Sequence, residues 1–439
     1  MKLLCLLDSL PAADIDDPGV YNKKGGSYPA ALRALVDAGY AVALAVIDRR
    51  DQRRELALAE RLGVQYLCDG VRTARRDRKR AREWLDYPTV PMPDWTRRRR
   101  RHKARKFRRQ RKRQFAGAAR LIGEVERAAA AGQRFDHVFA MSSFSDAGLL
   151  AALLAEPLGL PFTVWERQTV YARRKMSPGR IRKTRAAAEQ ARMTLAVSPQ
   201  LADEIGRVLG EDLAIGVLPN IIGESAFAPP RPDLAAEVAA VRNDGFLFAS
   251  WTAWRDFKRL DVALAAFARL VDGGRRDARF LVAGRPPPWA ADAVRHLGID
   301  DRVTFAGNVS REYIRAIAHG CDCAVVPSDH ETFGLPVIEA MAGGNPTVAT
   351  RCGGPESIIT DERLGCIVEC GDIDGMADRM ARIMDARASL DDDFIRAWCR
   401  EHYGDRAFGR RIRAILEPGA AASRSCPAGF GVAGRSGLS

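Results

Sequence analysis

Glu331 and Glu339 stand eight positions apart in the stretch SDHETFGLPVIEAMA, residues 328–342. An ionised carboxylate only accepts hydrogen bonds, so the pair suits the hydroxyl groups of a sugar or a ribose. Between them a Phe333-Gly334-Leu335 turn leads into Pro336. Proline has no N–H to leave unsatisfied and fits the first position of a helix. Amides at such a helix start form its positive end, where a phosphate or sugar oxygen can dock. Gly334 permits close backbone approach there.

These residues need a frame. The run CDCAVVP, Cys321 to Pro327, reads as a buried strand, and PTVAT, Pro346 to Thr350, as another. A strand–loop–helix–strand unit puts its loop at the carboxyl edge of a parallel sheet, where open α/β proteins bind ligands. The same rhythm runs through most of the chain. In the first half, strands are expected at Lys2–Leu7, Ala41–Ile47, Val64–Leu67, His137–Met141, Phe162–Trp165 and Thr194–Val197. Helices fit between them, such as Tyr28–Ala38 and Leu149–Leu158. A second rhythm is expected from Ile215–Leu218 and Gly245 onward. Its strands are Phe246–Ser250, Arg279–Val282, Val303–Phe305, Ala324–Val326, Thr347–Ala349 and Cys366–Val368, with helices such as Leu260–Val271 and Arg311–Ala318. This alternation predicts two α/β domains with parallel sheets, and hence a cleft between them. The expected boundaries are 1–212, carrying a basic insertion at about 72–131, and 213–394. The Pro-rich stretch Ala226–Pro232 reads as the linker. Phe394–Leu416 reads as one or two terminal helices within 395–417. The Gly, Ala and Ser rich tail 418–439 reads as disordered.

Bulk properties narrow the class. At 439 residues and 47% hydrophobic content, the chain can build two or three globular domains. MKLLCLLDSL has too short an apolar run for a secretory signal, and Ala147–Ala155 is far too short for a membrane span. The nine cysteines are scattered, and Cys321-x-Cys323 has neither zinc nor redox spacing. Reduced thiols fit a cytoplasmic protein. The net charge is +14, and residues 97–113, RRRRRHKARKFRRQRKR, hold thirteen Lys or Arg and no acid, so the rest of the chain is near neutral. Three readings of that run stay open: a solvated charge run, attraction to an anionic membrane face, or nucleic-acid binding. Only Phe107 and Phe115 interrupt it, which gives little equipment for base stacking. No Walker-type GK[ST] or GxGxxG follows a strand, which argues against an ATPase or a dinucleotide enzyme.

Residues 328–342, with Phe305-Ala-Gly-Asn308, Val282-Ala-Gly284, Lys258-Arg-Leu-Asp261 and Leu218-Pro-Asn220, resemble the C-terminal domain of the retaining glycosyltransferase family 4, whose fold is GT-B. In the first half, Gly25-Gly26, Phe162-Thr-Val-Trp-Glu166 and Ala196-Val-Ser-Pro199 are similar too. The resemblance covers roughly residues 1–415. It implies two Rossmann-like domains facing a cleft, with a C-terminal helix returning to the first. It also implies a nucleotide-sugar donor, with Glu339 on the ribose hydroxyls and Glu331 on the transferred sugar. A departing nucleoside diphosphate needs a cation, and Lys258 matches the family's phosphate-binding lysine. The family's arginine five residues earlier is Ala253 here, and Arg255 is the nearby substitute. Phe333, Gly334, Leu335, Gly25, Gly26, Gly284 and Val309 complete the implied donor contacts.

The acceptor side departs from the family. Met141, Ser142 and Ser143 stand where relatives often carry a histidine near the reacting sugar. After the fifth strand, Glu166 is kept but Arg167 replaces a second histidine. The resemblance thus implies a retaining transfer that needs no metal or other cofactor, onto a saccharide or lipid-linked envelope acceptor. Arg167 would suit an anionic acceptor. A cytoplasmic enzyme is expected, peripheral on the inner membrane face if 97–113 seeks anionic lipid. A catalytically silent sugar-nucleotide-binding scaffold and a nucleic-acid-binding protein are the alternatives.

Overall fold

Apolar, β-branched runs bounded by glycine, proline or polar residues become strands buried on both faces, as parallel sheets require. The computed structural model describes residues 1–7, 27–47, 52–67, 116–141, 147–168, 171 and 176–417. Among these, thirteen strands form two parallel sheets. The first holds β1 (Lys2–Leu7), β2 (Ala41–Val46), β3 (Gln65–Tyr66), β4 (His137–Ala140), β5 (Phe162–Glu166), β6 (Met193–Ala196) and β7 (Ile215–Val217), in the order β3-β2-β1-β4-β5-β6-β7. The second holds β8 (Phe246–Trp251), β9 (Ala278–Ala283), β10 (Val303–Gly307), β11 (Cys323–Val326), β12 (Thr347–Thr350) and β13 (Gly365–Val368), in the order β10-β9-β8-β11-β12-β13. Both follow the Rossmann order, in which the strand sequence reverses beside the first strand. In the second sheet that reversal lies between β8 and β11, which are neighbours.

The chain divides into two compact units, the first taking β1, Leu32–Leu218 and the chain from Gly409, the second residues 27–31 with Pro219–Phe408. Two expectations change here. The Ile215 strand was expected to open the second rhythm, but it pairs in parallel with β6 and closes the first sheet. A three-residue, half-buried strand has no sequence signal for which sheet it joins. The Pro-rich stretch Ala226–Pro232 is not the crossing either. Phe227 is buried with the Arg400 guanidinium over its ring, the Ala226 carbonyl bonds to His319 Nε2 at 2.8 Å, and Pro232 starts a helix. Those contacts hold the stretch inside the second unit, and the division falls at Leu218–Pro219.

In the first unit, Trp165 is fully buried and its indole N–H donates to the Leu218 carbonyl at 2.7 Å. Residues 116–130 form a helix, mostly buried over 117–125. There a Cβ on Gly117 would strike the Ile47 carbonyl, so only glycine lets this helix close on the end of β2. The basic residues 97–113 lie outside the described residues, as do 418–439. The terminal stretch is two helices, Asp392–Tyr403 and Asp405–Leu416. From Gly409 the second of these groups with the first unit, where Tyr40 donates to Glu417 at 2.9 Å and Arg413 Nε to the Ala38 carbonyl at 3.1 Å.

Candidate functional site

The loops leaving β8 and β11 meet at the carboxyl edge of the second sheet. After β8 the backbone is pinned to its neighbour. The Trp254 indole N–H donates to the Ala283 carbonyl at 2.9 Å, and a Cβ on Gly284 would strike the Thr252 carbonyl. Gly284 also holds φ at 101°, which only glycine adopts cheaply. The loop then makes a short 3-10 turn, Asp256–Lys258, and closes on Arg259 in the left-handed region at φ 47°. After β11, the Asp329 amide donates to the Phe257 carbonyl at 2.8 Å, and Arg259 pairs with Asp329 at 3.0 Å. One backbone bond and one ion pair therefore tie the loop carrying Lys258 to the loop carrying Glu331.

Lys258 and Glu331 form an ion pair, each side chain only 12% exposed. Ser328 Oγ donates to the same Glu331 oxygen at 3.2 Å, and the Glu331 amide donates to the Cys352 carbonyl at 2.9 Å. Burial pushes the Cys352 thiol pKa up, with the Glu331 charge adding to it. The thiol therefore stays neutral beside the pair.

Gly334, at φ 99°, caps the helix Leu335–Ala342. Leu335 takes the first helical position and Pro336 the second, one place later than expected. Pro336 has no N–H and the Val337 amide donates to the Gly334 carbonyl at 2.9 Å, which leaves the Leu335 amide as the first-turn donor that the helix itself does not satisfy. Phe333 is buried and edge-on to Tyr403, ring centroids 5.6 Å apart, so its side chain packs inward rather than toward a ligand. One turn into the helix, Glu339 is 15% exposed at its side chain. Its Oε2 accepts from the Trp251 indole N–H at 2.7 Å, and its Oε1 faces Arg311 at 3.3 Å. Val309 is buried, directly before Ser310, which caps the helix carrying Arg311.

Of the residues expected on the donor side, Lys258, Glu331, Gly334, Leu335, Glu339, Gly284 and Val309 thus share one edge of the second unit. Arg255 is exposed at the start of the 3-10 turn, and its side chain makes no hydrogen bond or ion pair among the described residues. Trp251, Arg311, Ser328 and Arg259 were missed. The one sequence signal for Trp251 was its place at the end of the strand before Lys258. Its partner Glu339 lies 88 residues away, so the sheet order had to be known first. Gly25, Gly26, Ser142 and Ser143 lie outside the described residues.

The acceptor-side expectation for Glu166 is corrected. Glu166 is fully buried at the end of β5. Its Oε1 accepts from the Arg167 and Gln168 amides at 2.8 and 3.0 Å, and its Oε2 from the Tyr171 hydroxyl at 3.1 Å. Burial and the Glu166 charge hold Tyr171 well above the usual phenol range. This carboxylate is turned to its own loop after β5, holding two of its amides and the Tyr171 hydroxyl. The Arg167 guanidinium stacks over the Trp165 ring at 4.8 Å. Met141 is buried, its amide donating to the Leu6 carbonyl at 3.0 Å. Among the described residues no group of three or more His, Cys, Asp or Glu could hold a metal ion, and no helix is long and apolar enough to cross a membrane.

The model of the glycosyl transferases group 1 family matches residues 243–386, which include β8 through β13 and both glutamates. Over these residues the chain is similar to the glycosyl transferases group 1 family. The Lys258–Glu331 pair and Glu339 lie within the matched residues. N-acetyl-alpha-D-glucosaminyl L-malate synthase of Bacillus anthracis is 30% identical over 199 residues, 45% of this chain and 51% of that protein. D-inositol 3-phosphate glycosyltransferase of Mycolicibacterium smegmatis is 33% identical over 166 residues, 36% of this chain and 37% of that protein. The chain thus spans about half or less of the curated relatives it matches. The structure of Anabaena Alr3699/HepE in complex with UDP-glucose is similar at TM-score 0.64 and 16% identity, over 95% of this chain and 99% of that one. The lipopolysaccharide outer core galactosyltransferase WaaB in its apo form is similar at TM-score 0.60 and 14% identity, over 95% and 99%. The two Rossmann-like units are those of the GT-B fold.

Proposed function

We propose that this protein is a retaining glycosyltransferase that moves a sugar from a nucleotide-sugar donor to a saccharide or lipid-linked envelope acceptor. The observation that carries this reading is the grouping of Lys258, Glu331 and Glu339 around the start of one helix at the switch point of the second sheet. Each element meets one demand of donor chemistry. Glu339 accepts from the ribose hydroxyls. The first-turn amides at Gly334 and Leu335 and the Lys258 ammonium meet the diphosphate, where charge builds as the sugar leaves. Glu331 accepts from the transferred sugar once Lys258 turns to the phosphates. Arg255, exposed in the same loop, is a second cation for that charge. With these cations the reaction runs without a metal, and the departing phosphate takes the acceptor's proton. The reading also takes Gly25 and Gly26 as donor contacts, and Ser142 and Arg167 as the acceptor side.

Two group 1 relatives carry names for reactions on malate and on inositol 3-phosphate. Anionic acceptors of that kind suit Arg167. The basic run 97–113 favours an anionic membrane face as a partner, each basic residue adding about 1 kcal/mol of attraction. The test is a panel of UDP-, GDP- and ADP-sugars with saccharide, lipid-phosphate and polyol-phosphate acceptors, each run with EDTA and with a divalent ion. The reading predicts transfer from one donor class, with the product's anomeric configuration by NMR equal to the donor's. An inverted product, or loss of turnover in EDTA restored by a divalent ion, rules out the mechanism. No turnover with any donor, together with measurable nucleotide binding, leaves the silent scaffold in its place.

A further inference from the structure

We infer that Trp251 is a positioning residue for the donor site: its indole N–H holds the Glu339 carboxylate in the orientation that receives the two ribose hydroxyls. The inference rests on the reading of Glu339 as the ribose contact and goes beyond it, because it concerns what aims that carboxylate. A glutamate on a helix can swing about three side-chain bonds, and its terminal torsion is broad. Left alone, it would have to be ordered by the ligand, which weakens binding. Trp251 removes that freedom. It ends β8, is 3% exposed, and packs in the core with Leu281, Ala283, Ala316 and Ala340. Such a ring cannot follow a moving partner. Its N–H donates to Glu339 Oε2 at 2.7 Å, a short bond of the charge-assisted kind.

The other oxygen is left for the ligand. Oε1 faces Arg311 at 3.3 Å, whose side chain is 41% exposed. An exposed, long ion pair of this kind is screened by solvent and holds little orientation. The carboxylate is therefore fixed from inside by a rigid donor and capped from outside by a yielding one. Hydroxyls arriving from solvent meet an acceptor already aimed.

The test compares UDP, ADP and GDP with their 2′,3′-dideoxy analogues by calorimetry, using the full chain. The ratio of the two Kd values for one base isolates the ribose hydroxyls, and it is a property of the folded molecules, so partial misfolding of a variant does not mimic the effect. Wild-type protein should favour one hydroxyl-bearing nucleotide over its analogue by at least about tenfold. Glu339→Ala should bring that ratio near one. Trp251→Phe, which keeps an aromatic ring but loses the N–H, should cut the ratio by about tenfold while binding of the dideoxy analogue changes little. Arg311→Ala should leave the ratio within about twofold of wild type. If wild type shows no preference, or binds no nucleotide, the reading of Glu339 falls and the inference with it. If wild type discriminates and Trp251→Phe discriminates equally, the inference alone is overturned. Loss of discrimination in Arg311→Ala but not in Trp251→Phe would overturn it as well, by assigning the aiming to the arginine.

Discussion

Removing the Lys258 ammonium separates what the ion pair does for folding from what the lysine does for a donor. Lys258 and Glu331 are each 12% exposed and in contact. In Lys258→Ala, the Glu331 carboxylate keeps, among the described residues, only the Ser328 hydroxyl as a side-chain donor. Stranding one partner of a buried pair costs about 3–5 kcal/mol. Slight solvent access here places the expected loss near the lower end, about 3 kcal/mol. With a urea m-value of about 2 kcal/mol/M, the midpoint for the second unit should fall by about 1.5 M. Urea unfolding followed by tryptophan fluorescence measures this. The double variant Lys258→Met/Glu331→Gln removes both charges and should regain most of the loss, to within about 1 kcal/mol of wild type. Its nucleotide affinity should stay down, because a charge-assisted contact to phosphate worth about 1.5–3 kcal/mol is still missing. A Lys258→Ala variant as stable as wild type would refute the desolvated pair. A double variant that regains donor affinity along with stability would refute the phosphate role.

Three further outcomes follow from the same geometry. Gly284→Ala should destabilise the second unit by at least about 2 kcal/mol, since the left-handed backbone and the Thr252 carbonyl both oppose a Cβ; a thermal melt checks it. Glu166→Ala strands two amides and the Tyr171 hydroxyl, so it should cost about 3 kcal/mol or more. A rise in acceptor KM with unchanged stability would instead return Glu166 to the acceptor site. His137 is buried against Thr163 Oγ1 at 3.0 Å, and burial, with Arg192 nearby, lowers its pKa to about 4. The unfolded chain takes up that proton near pH 6.5 and the folded chain only near pH 4, so stability falls as pH drops through this window, by about 3 kcal/mol in all. His137→Gln should flatten that part of the pH profile in urea unfolding, and an unchanged slope would contradict the assignment.

The sequence carried the fold where its signals were long and regular. Runs such as LLCLL in β1 and FLFAS in β8 are apolar on both faces, and only a parallel sheet buries both faces of a strand. It failed at Ile215–Val217, where three half-buried residues fit either sheet, and at Ala226–Pro232, where three prolines masked the burial of Phe227. For the site, helix chemistry at Gly334-Leu335-Pro336 and the two carboxylates were legible because their spacing is local. The Trp251–Glu339 bond was not, since it joins residues brought together only by the order β8-β11. Glu166 misled for a related reason. A carboxylate at a strand end reads the same whether it faces a ligand or, as here, turns back to its own loop amides.

A crystal structure of the protein with the nucleotide sugar that binds best in the panel tests the central claim most directly. The account predicts ribose hydroxyls on Glu339, the diphosphate at the Gly334–Leu335 amides and Lys258, and Glu331 released from Lys258 onto the sugar. A nucleotide bound elsewhere, or a Lys258–Glu331 pair left intact beside a bound donor, would contradict it.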